Sequence, residues 1–215
     1  AHRDLHSFPT RRSSDLLLIN PPVYDFALYD LFHQPYGLMK IAAWFESAGY
    51  AVNIIDSLDI KDPLSAGKLG LPRRKGDGTG KFFRQSHNFP ETPFCRPERA
   101  YSRYGIVPET LRHRVSISNP DLVLISSGMT YWYPGVVEVC SLVKDLFPGV
   151  PVIVGGIYAS LLPEHCEAST GAIAAPGEAG ISVPPLLTRL GLPVPEGSPE
   201  DFIPRPDIAV QRGAG

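Results

Sequence analysis

Cysteine is scarce in this chain of 215 residues: there are three, a small and odd number. A disulfide framework is therefore not expected, and a reducing compartment such as the cytoplasm fits better. Excess charge is lacking as well. Lys and Arg number 20 against 22 Asp and Glu, a net charge of −2, so no bulk field draws the chain to nucleic acid or to an anionic membrane. No apolar run reaches the ~18 residues that a bilayer span needs. Charged residues make up 20% and hydrophobic ones 43%, which excludes disorder of the whole chain and provides for a core. Proline, by contrast, is abundant, with 23 residues alongside 20 glycines. That is about twice the average usage of proline, and it predicts many loops and few long helices.

The first fifteen residues, AHRDLHSFPTRRSSD, show neither helical nor strand periodicity and no apolar signal core. HSFPTRRSSDL resembles the translation of a sequencing-adapter oligonucleotide. Residues 1–15 are accordingly set aside as non-native, and His2 and His6 are not candidate ligands.

From Leu16 onward strands and helices alternate. Leu16 to Asn20 (LLLIN) is a short apolar run closed by Pro21 and Pro22, the pattern of a buried strand. Leu38, Ile41, Ala42, Phe45 and Ala48 then place one apolar stripe on a helix that Gly49 ends, and Tyr50 to Ile55 reads as a second strand. Strand, helix, strand is a βαβ unit with a parallel pair. Residues 58–107 interrupt the rhythm as a long loop insertion with too few periodic apolar residues for a core. Between Leu58 and Asn119 lie twelve Lys/Arg and six Asp/Glu. The alternation resumes with a helix from Pro108 and strands at Asp121 to Ser126 and Pro151 to Val154. A helix from Pro134 to Phe147 lies between those strands, and short helices follow at Leu162 to Ala168 and Ile181 to Leu190. Beyond Gly191 a proline-rich linker, 191–215, has no fold of its own. The fold class is α/β, a doubly wound, mostly parallel sheet spanning residues 16–190.

In such a sheet ligands bind beyond the carboxyl ends of the strands. The loops there are NPPVYD, SSGMTYWYPG, GGIYAS and APGEAG. Gly155 and Gly156 leave room where something packs against a strand end, either a ligand or simply a tight turn. Met129 to Tyr133 brings three consecutive aromatics after a strand, suited to lining a pocket or facing another domain, or else to helix–sheet packing.

Other motifs fail on spacing. GDGTGK (Gly76 to Lys81) has three residues before its Gly-Lys where a phosphate loop needs four, and Phe82 follows where Ser or Thr should stand. Cys95, Cys140 and Cys166 show no CxxC spacing, and His33, His87, His113 and His165 form no metal-spaced pair. Ser126-Ser127-Gly128 lacks the context of a hydrolase nucleophile.

Taken in order, NPP, PYGLMKIAAWFESAGY, SSGMTYWYPGV, GGIYASLLPEH and PGEAG resemble the cobalamin-binding N-terminal domain of cobalamin-dependent radical SAM proteins, over about Leu17 to Gly180. The resemblance implies a flavodoxin-like, Rossmann-like sheet holding cobalamin at its carboxyl edge. It also implies a serine loop against the nucleotide tail and a double glycine past which that tail runs. Ser127 and Gly155 lie 28 positions apart, consistent with such a pair of loops. The cofactor positions it implies are Pro22, Ser126, Ser127, Gly128, Met129, Thr130, Tyr131, Gly155, Gly156, Ile157 and Tyr158, with Gly177 and Glu178 in the next loop.

Two features depart from the family pattern. DxHxxG is absent, since Asp30 to Gly37 carries its residue types at the wrong spacing, so Tyr131 or Trp132 would face the cobalt. CxxxCxxC, which would hold a [4Fe–4S] cluster and S-adenosylmethionine, does not occur. The expectation is a fragment cut before a radical SAM domain of the same parent chain and inactive alone, the parent being a methyltransferase or related radical transferase. Its expected partners are the corrinoid and that domain, with no nucleic acid and no membrane. The alternative is a flavodoxin-like binding or regulatory module using a nucleotide or no cofactor. A third reading, a sugar-nucleotide transferase, lacks its phosphate fingerprint.

Overall fold

The computed structural model describes residues 14–31, 34–88 and 100–204. Most of the adapter-like head, His33, Cys95, the prolines at 90, 93 and 97, and 205–215 lie outside the described residues. The chain runs β1 (Asp15–Asn20), β2 (Val23–Asp25), β3 (Tyr29–Asp30), α1 (Tyr36–Ser47), β4 (Ala51–Asp56), α2 (Pro63–Leu69), β5 (Gly80–Lys81), β6 (Arg84–Ser86) and β7 (Ser102–Tyr104). It continues through α3 (Pro108–Ser116), β8 (Leu122–Ser127), a 3-10 turn at Thr130–Trp132, and α4 (Tyr133–Leu146). Then come β9 (Val152–Gly156), α5 (Ile157–Leu161), α6 (Pro163–Thr170), β10 (Ile173–Ala174), α7 (Ala179–Leu190) and a second 3-10 turn at Pro199–Asp201.

β1, β4, β8, β9 and β10 form a parallel five-stranded sheet in the order β10-β9-β8-β1-β4. Numbered along the chain, these five strands lie in the order 2-1-3-4-5, the doubly wound flavodoxin-like arrangement. Alternation of side chains along each strand divides the core in two. Leu17, Ile19, Val123, Ile125, Val152 and Val154 face α3 to α6, where Val136, Val139, Cys140 and Val143 of α4 cover them. Leu16, Leu18, Leu122, Leu124 and Ile153 face α1 and α7, against Leu38, Ala42, Phe45, Val183 and Leu187. The apolar stripe read on α1 thus meets the sheet, and Gly49 follows that helix with φ +83°.

Four expectations need correction. The insertion is not a structureless loop. It carries α2 and three short strands, pairs β2 with β7 and β3 with β5, and has a small core of Val23, Leu58, Phe82 and Tyr104. Its apolar residues are too few to stand alone, and ion pairs bind it to the sheet domain. Arg103 Nη2 meets Glu138 Oε1 of α4 at 2.7 Å, its Nε lies 2.9 Å from Oε2, and Tyr24 Oη donates to the same carboxylate at 2.8 Å. Arg114 of α3 reaches Asp59 at 3.0 Å and Asp62 at 2.9 Å.

The stretch after Gly191 folds back along α1, contrary to its reading as a linker without structure. Tyr50 Oη donates to the Pro193 carbonyl at 2.6 Å, Trp44 Nε1 to the Glu196 carbonyl at 2.9 Å, and Lys40 pairs with Glu200. Bound at Tyr50, then Trp44, then Lys40, this strap runs antiparallel to α1. The loop GGIYAS is corrected too, because Ile157 and Tyr158 open α5 directly after β9. The aromatic run, placed before a helix expected to begin at Pro134, winds into the 3-10 turn and the first residue of α4.

Candidate functional site

β1 and β8 are neighbours in the sheet, but the chain leaves β1 toward β4 on one side and β8 toward β9 on the other. Connections that part in this way leave a crevice at the carboxyl ends of the two strands. A cavity of about 270 Å³ lies there, walled by Asn20, Pro22, Tyr36, Ser126, Gly128 and Trp132 among others. A second, of about 160 Å³, sits between α1 and α7 and is walled by Leu38, Ile41, Ile153, Gly155, Ala175 and Val183 among others. Gly37, Leu38 and Ser126 border both, so they adjoin as parts of one cleft. Each is smaller than the ~300–1,000 Å³ of a typical drug-sized pocket. A large ligand would therefore place portions in them and lie across the edge.

The cleft is held open by close backbone approaches. Pro22 can lie against α4 because residue 135 is glycine: a Cβ there would sit 1.8 Å from the Pro22 carbonyl oxygen. Trp132 lies over Gly128, whose Cβ would meet the indole at 2.9 Å, and its Nε1 donates to Asp25 Oδ2 at 2.8 Å. Two polar side chains stand in a mostly apolar lining: Asn20 Nδ2 donates to Asp56 Oδ1 at 2.8 Å and Ser126 Oγ to Asn20 Oδ1 at 3.4 Å.

The two glycines after β9 do different work. A Cβ at Gly155 would find no heavy atom within 4 Å, so that position opens onto the smaller cavity. Gly156 has φ +91° and ψ −165°, a region nearly confined to glycine, and its Cβ would stand 2.4 Å from the Ser127 carbonyl oxygen. Ser127 is buried and joins the two loops. Its Oγ donates to the Gly155 carbonyl at 2.9 Å and accepts from the Tyr158 amide at 3.2 Å, which satisfies the hydroxyl inside the protein.

Of the positions singled out in the sequence, Pro22, Ser126, Ser127 and Gly128 border the larger cavity, and Ser126, Gly155, Gly156 and Gly177 the smaller. Met129, Thr130, Tyr131, Ile157, Tyr158 and Glu178 border neither. Met129, Tyr131 and Ile157 are exposed beside the cleft. Tyr158 is a correction: it is fully buried, its hydroxyl lies 2.7 Å from His165 Nδ1, and burial raises its pKa. Its side chain belongs to the core. Gly177 donates its amide to Ser160 Oγ at 2.9 Å, and Glu178 is the residue before α7.

Sequence reasoning passed over Asn20, Gly37 and Leu38. The signal for Asn20 was a polar residue ending an otherwise apolar strand. For Gly37 it was a glycine in the first turn of a helix, where it leaves the wall low. Cys140 is core, burial pushing its thiol up to about 12. Among the described residues no three His, Cys, Asp or Glu side chains come together to hold a metal ion, and no helix is long and apolar enough to cross a membrane.

Fold and cleft together define a flavodoxin-like α/β domain with a glycine-walled binding crevice at its switch point. Residues 100–184 match the family model of the B12 binding domain. That stretch takes in β8, β9 and the segments from Ser126 to Tyr133 and from Gly155 to Tyr158. The match supports a cobalamin-binding domain. No curated protein and no solved structure matches the chain.

Proposed function

We propose that this chain is the corrinoid-holding module of a cobalamin-dependent radical SAM enzyme. In this reading it serves methyl or other radical group transfer together with a domain that binds a [4Fe–4S] cluster and S-adenosylmethionine. The observation that carries the cobalamin reading is the empty space in front of Gly155, in a cavity beneath the loops that the B12 binding domain model covers. A glycine whose missing side chain leaves a hollow open at a strand end gives a nucleotide tail room to pass.

In this reading Gly155, Gly177 and Val183 would hold the tail, while Gly128 and Trp132 wall the neighbouring hollow. Met129, Tyr131 and Ile157, exposed at the same edge, offer the corrin an apolar rest. Ser127 and Gly156 act one step back, by fixing the two loops against each other. Bound cobalamin supplies a cobalt centre able to carry a methyl group or to join in radical group transfer. The chain's own residues would hold and orient it.

The test is titration of the protein with hydroxocobalamin, followed by gel filtration. A shifted visible spectrum and corrinoid co-eluting with the protein are expected. An unchanged spectrum with no retained corrinoid refutes the reading.

A further inference from the structure

The insertion carries a second surface that the cleft does not use. β3 pairs with β5, Tyr29 opposite Lys81 and Asp30 opposite Gly80. On its other side β5 is bridged by the segment around Arg74, which faces Gly80. Lys81 donates its amide to the Arg73 carbonyl at 2.9 Å and Lys75 to the Thr79 carbonyl at 2.7 Å. This register sorts the side chains onto two faces. Asp30, Gly80 and Arg74 share the inner one, where Arg74 Nη2 meets Asp30 Oδ2 at 2.7 Å. Gly80 makes that crossing possible, since a Cβ there would stand 2.9 Å from Arg74 Cδ.

Tyr29, Arg73, Lys75 and Lys81 share the outer face, and all four are exposed. Arg73 and Lys81 stand directly opposite one another, an arrangement of like charges that weakens a strand pair. Neither they nor Lys75 has a carboxylate partner among the described residues. Asp77, in the turn between Lys75 and Thr79, is engaged with Thr79, accepting from its amide at 2.9 Å and its hydroxyl at 2.8 Å. Three cations thus share one structured face with no carboxylate partner among the described residues.

We propose that this face docks an acidic, extended polypeptide segment of a partner protein. Arg73 and Lys75 are two residues apart along one face, roughly 7 Å, which is also the repeat of same-face side chains on an extended partner strand. Carboxylates at alternate positions of such a segment would meet them in register, with Lys81 beside the first. A single-stranded nucleic acid is the other polyanion to weigh, and it draws affinity from bases stacking on an aromatic face. Here that face is taken: Lys75 Nζ lies over the Tyr29 ring, 5.6 Å from its centroid.

The experiment measures fluorescence anisotropy of a labelled Glu-Thr-Glu-Thr-Glu-Thr-Glu peptide, and separately of a labelled ten-nucleotide oligo(dT), against the protein and its Arg73→Ser/Lys75→Ser/Lys81→Ser variant. Binding of the peptide at low salt, at least about tenfold weaker in the variant, is expected. The variant should melt no lower than the parent, because like-charge repulsion has gone. Lys68→Ser, which removes a cation on α2 paired with Glu109 at 2.9 Å, should leave binding unchanged. Failure of the peptide to bind, equal binding by the triple variant, or tighter binding of oligo(dT) than of the peptide would each overturn the proposal.

Discussion

Gly155 and Gly156 are adjacent in sequence, yet substitution should separate them cleanly. At Gly156 a side chain meets two obstacles. The backbone angles of +91° and −165° lie where non-glycine residues are strained by about 1–3 kcal/mol. The new Cβ would also stand 2.4 Å from a carbonyl oxygen of Ser127, and relieving such overpacking costs about 1–3 kcal/mol more. Gly156→Ala should therefore lose roughly 2–6 kcal/mol, which for a domain of this size is a fall of about 5–20 °C in Tm. At Gly155 neither obstacle exists, and a β-branched residue suits the end of a strand. Gly155→Val should melt within about 3 °C of the parent, a change of under ~1 kcal/mol. Its three added carbons project into the smaller cavity, however, so hydroxocobalamin affinity should drop by at least about tenfold, the equivalent of ~1.4 kcal/mol. Thermal melts followed by circular dichroism, and visible-spectrum titrations on the same samples, read the two effects apart. Gly156→Ala melting with the parent would refute the conformational argument. Undiminished corrinoid binding by Gly155→Val would show that the hollow holds no part of the cofactor.

Three further outcomes follow from the same geometry. Ser127→Ala strands the buried Tyr158 amide and removes a donor from the Gly155 carbonyl, so urea unfolding should show a loss of about 1–3 kcal/mol; no loss would mean that the hydroxyl does not tie the loops. Arg103→Met leaves Glu138 without its main partner and should cost about 3–5 kcal/mol, much of it recovered in Arg103→Met/Glu138→Met because both charges are then gone. A double variant no better than the single one would contradict this. At Asp62 burial pushes the carboxyl up, but bonds from Ser65 and Thr110 and the charge of Arg114 outweigh it, so the folded-state pKa lies below the ordinary value. The stability linked to that depressed pKa is complete above the unfolded-chain value of about 3.9 and is lost as pH falls through the lower folded value. Asp62→Asn should be less stable than the parent at neutral pH, with the gap narrowing below about pH 4 in urea melts. A gap that stays constant would exclude this linkage.

The sequence by itself determined the sheet and its helices, because burial writes a period into a strand or helix that local reading can detect. Leu16 to Ile19 had to be a strand covered on both faces, and Leu38 to Ala48 a helix with one apolar stripe. The glycine pair and the serines before Gly128 fall at the carboxyl edge of the sheet for the same reason: residues that end apolar runs lie on strand ends. Only the tertiary structure decided what those residues do. Nothing local separates a Gly155 that faces a hollow from a Gly156 that faces a carbonyl, nor a Ser127 spent on a loop tie from a Ser126 at the cavity wall. Those differences arise from loops that meet across the sheet. Tyr158 follows the glycine pair directly, yet its side chain is core because α5 starts there and turns the ring inward. The insertion and the strap at 192–202 were unreadable for a related reason. Their few apolar groups carry no period, and their order comes from Arg103 on Glu138, Arg114 on Asp62 and Trp44 on Glu196. Such contacts, between residues far apart in the chain, exist only once the sheet has folded to bring them together.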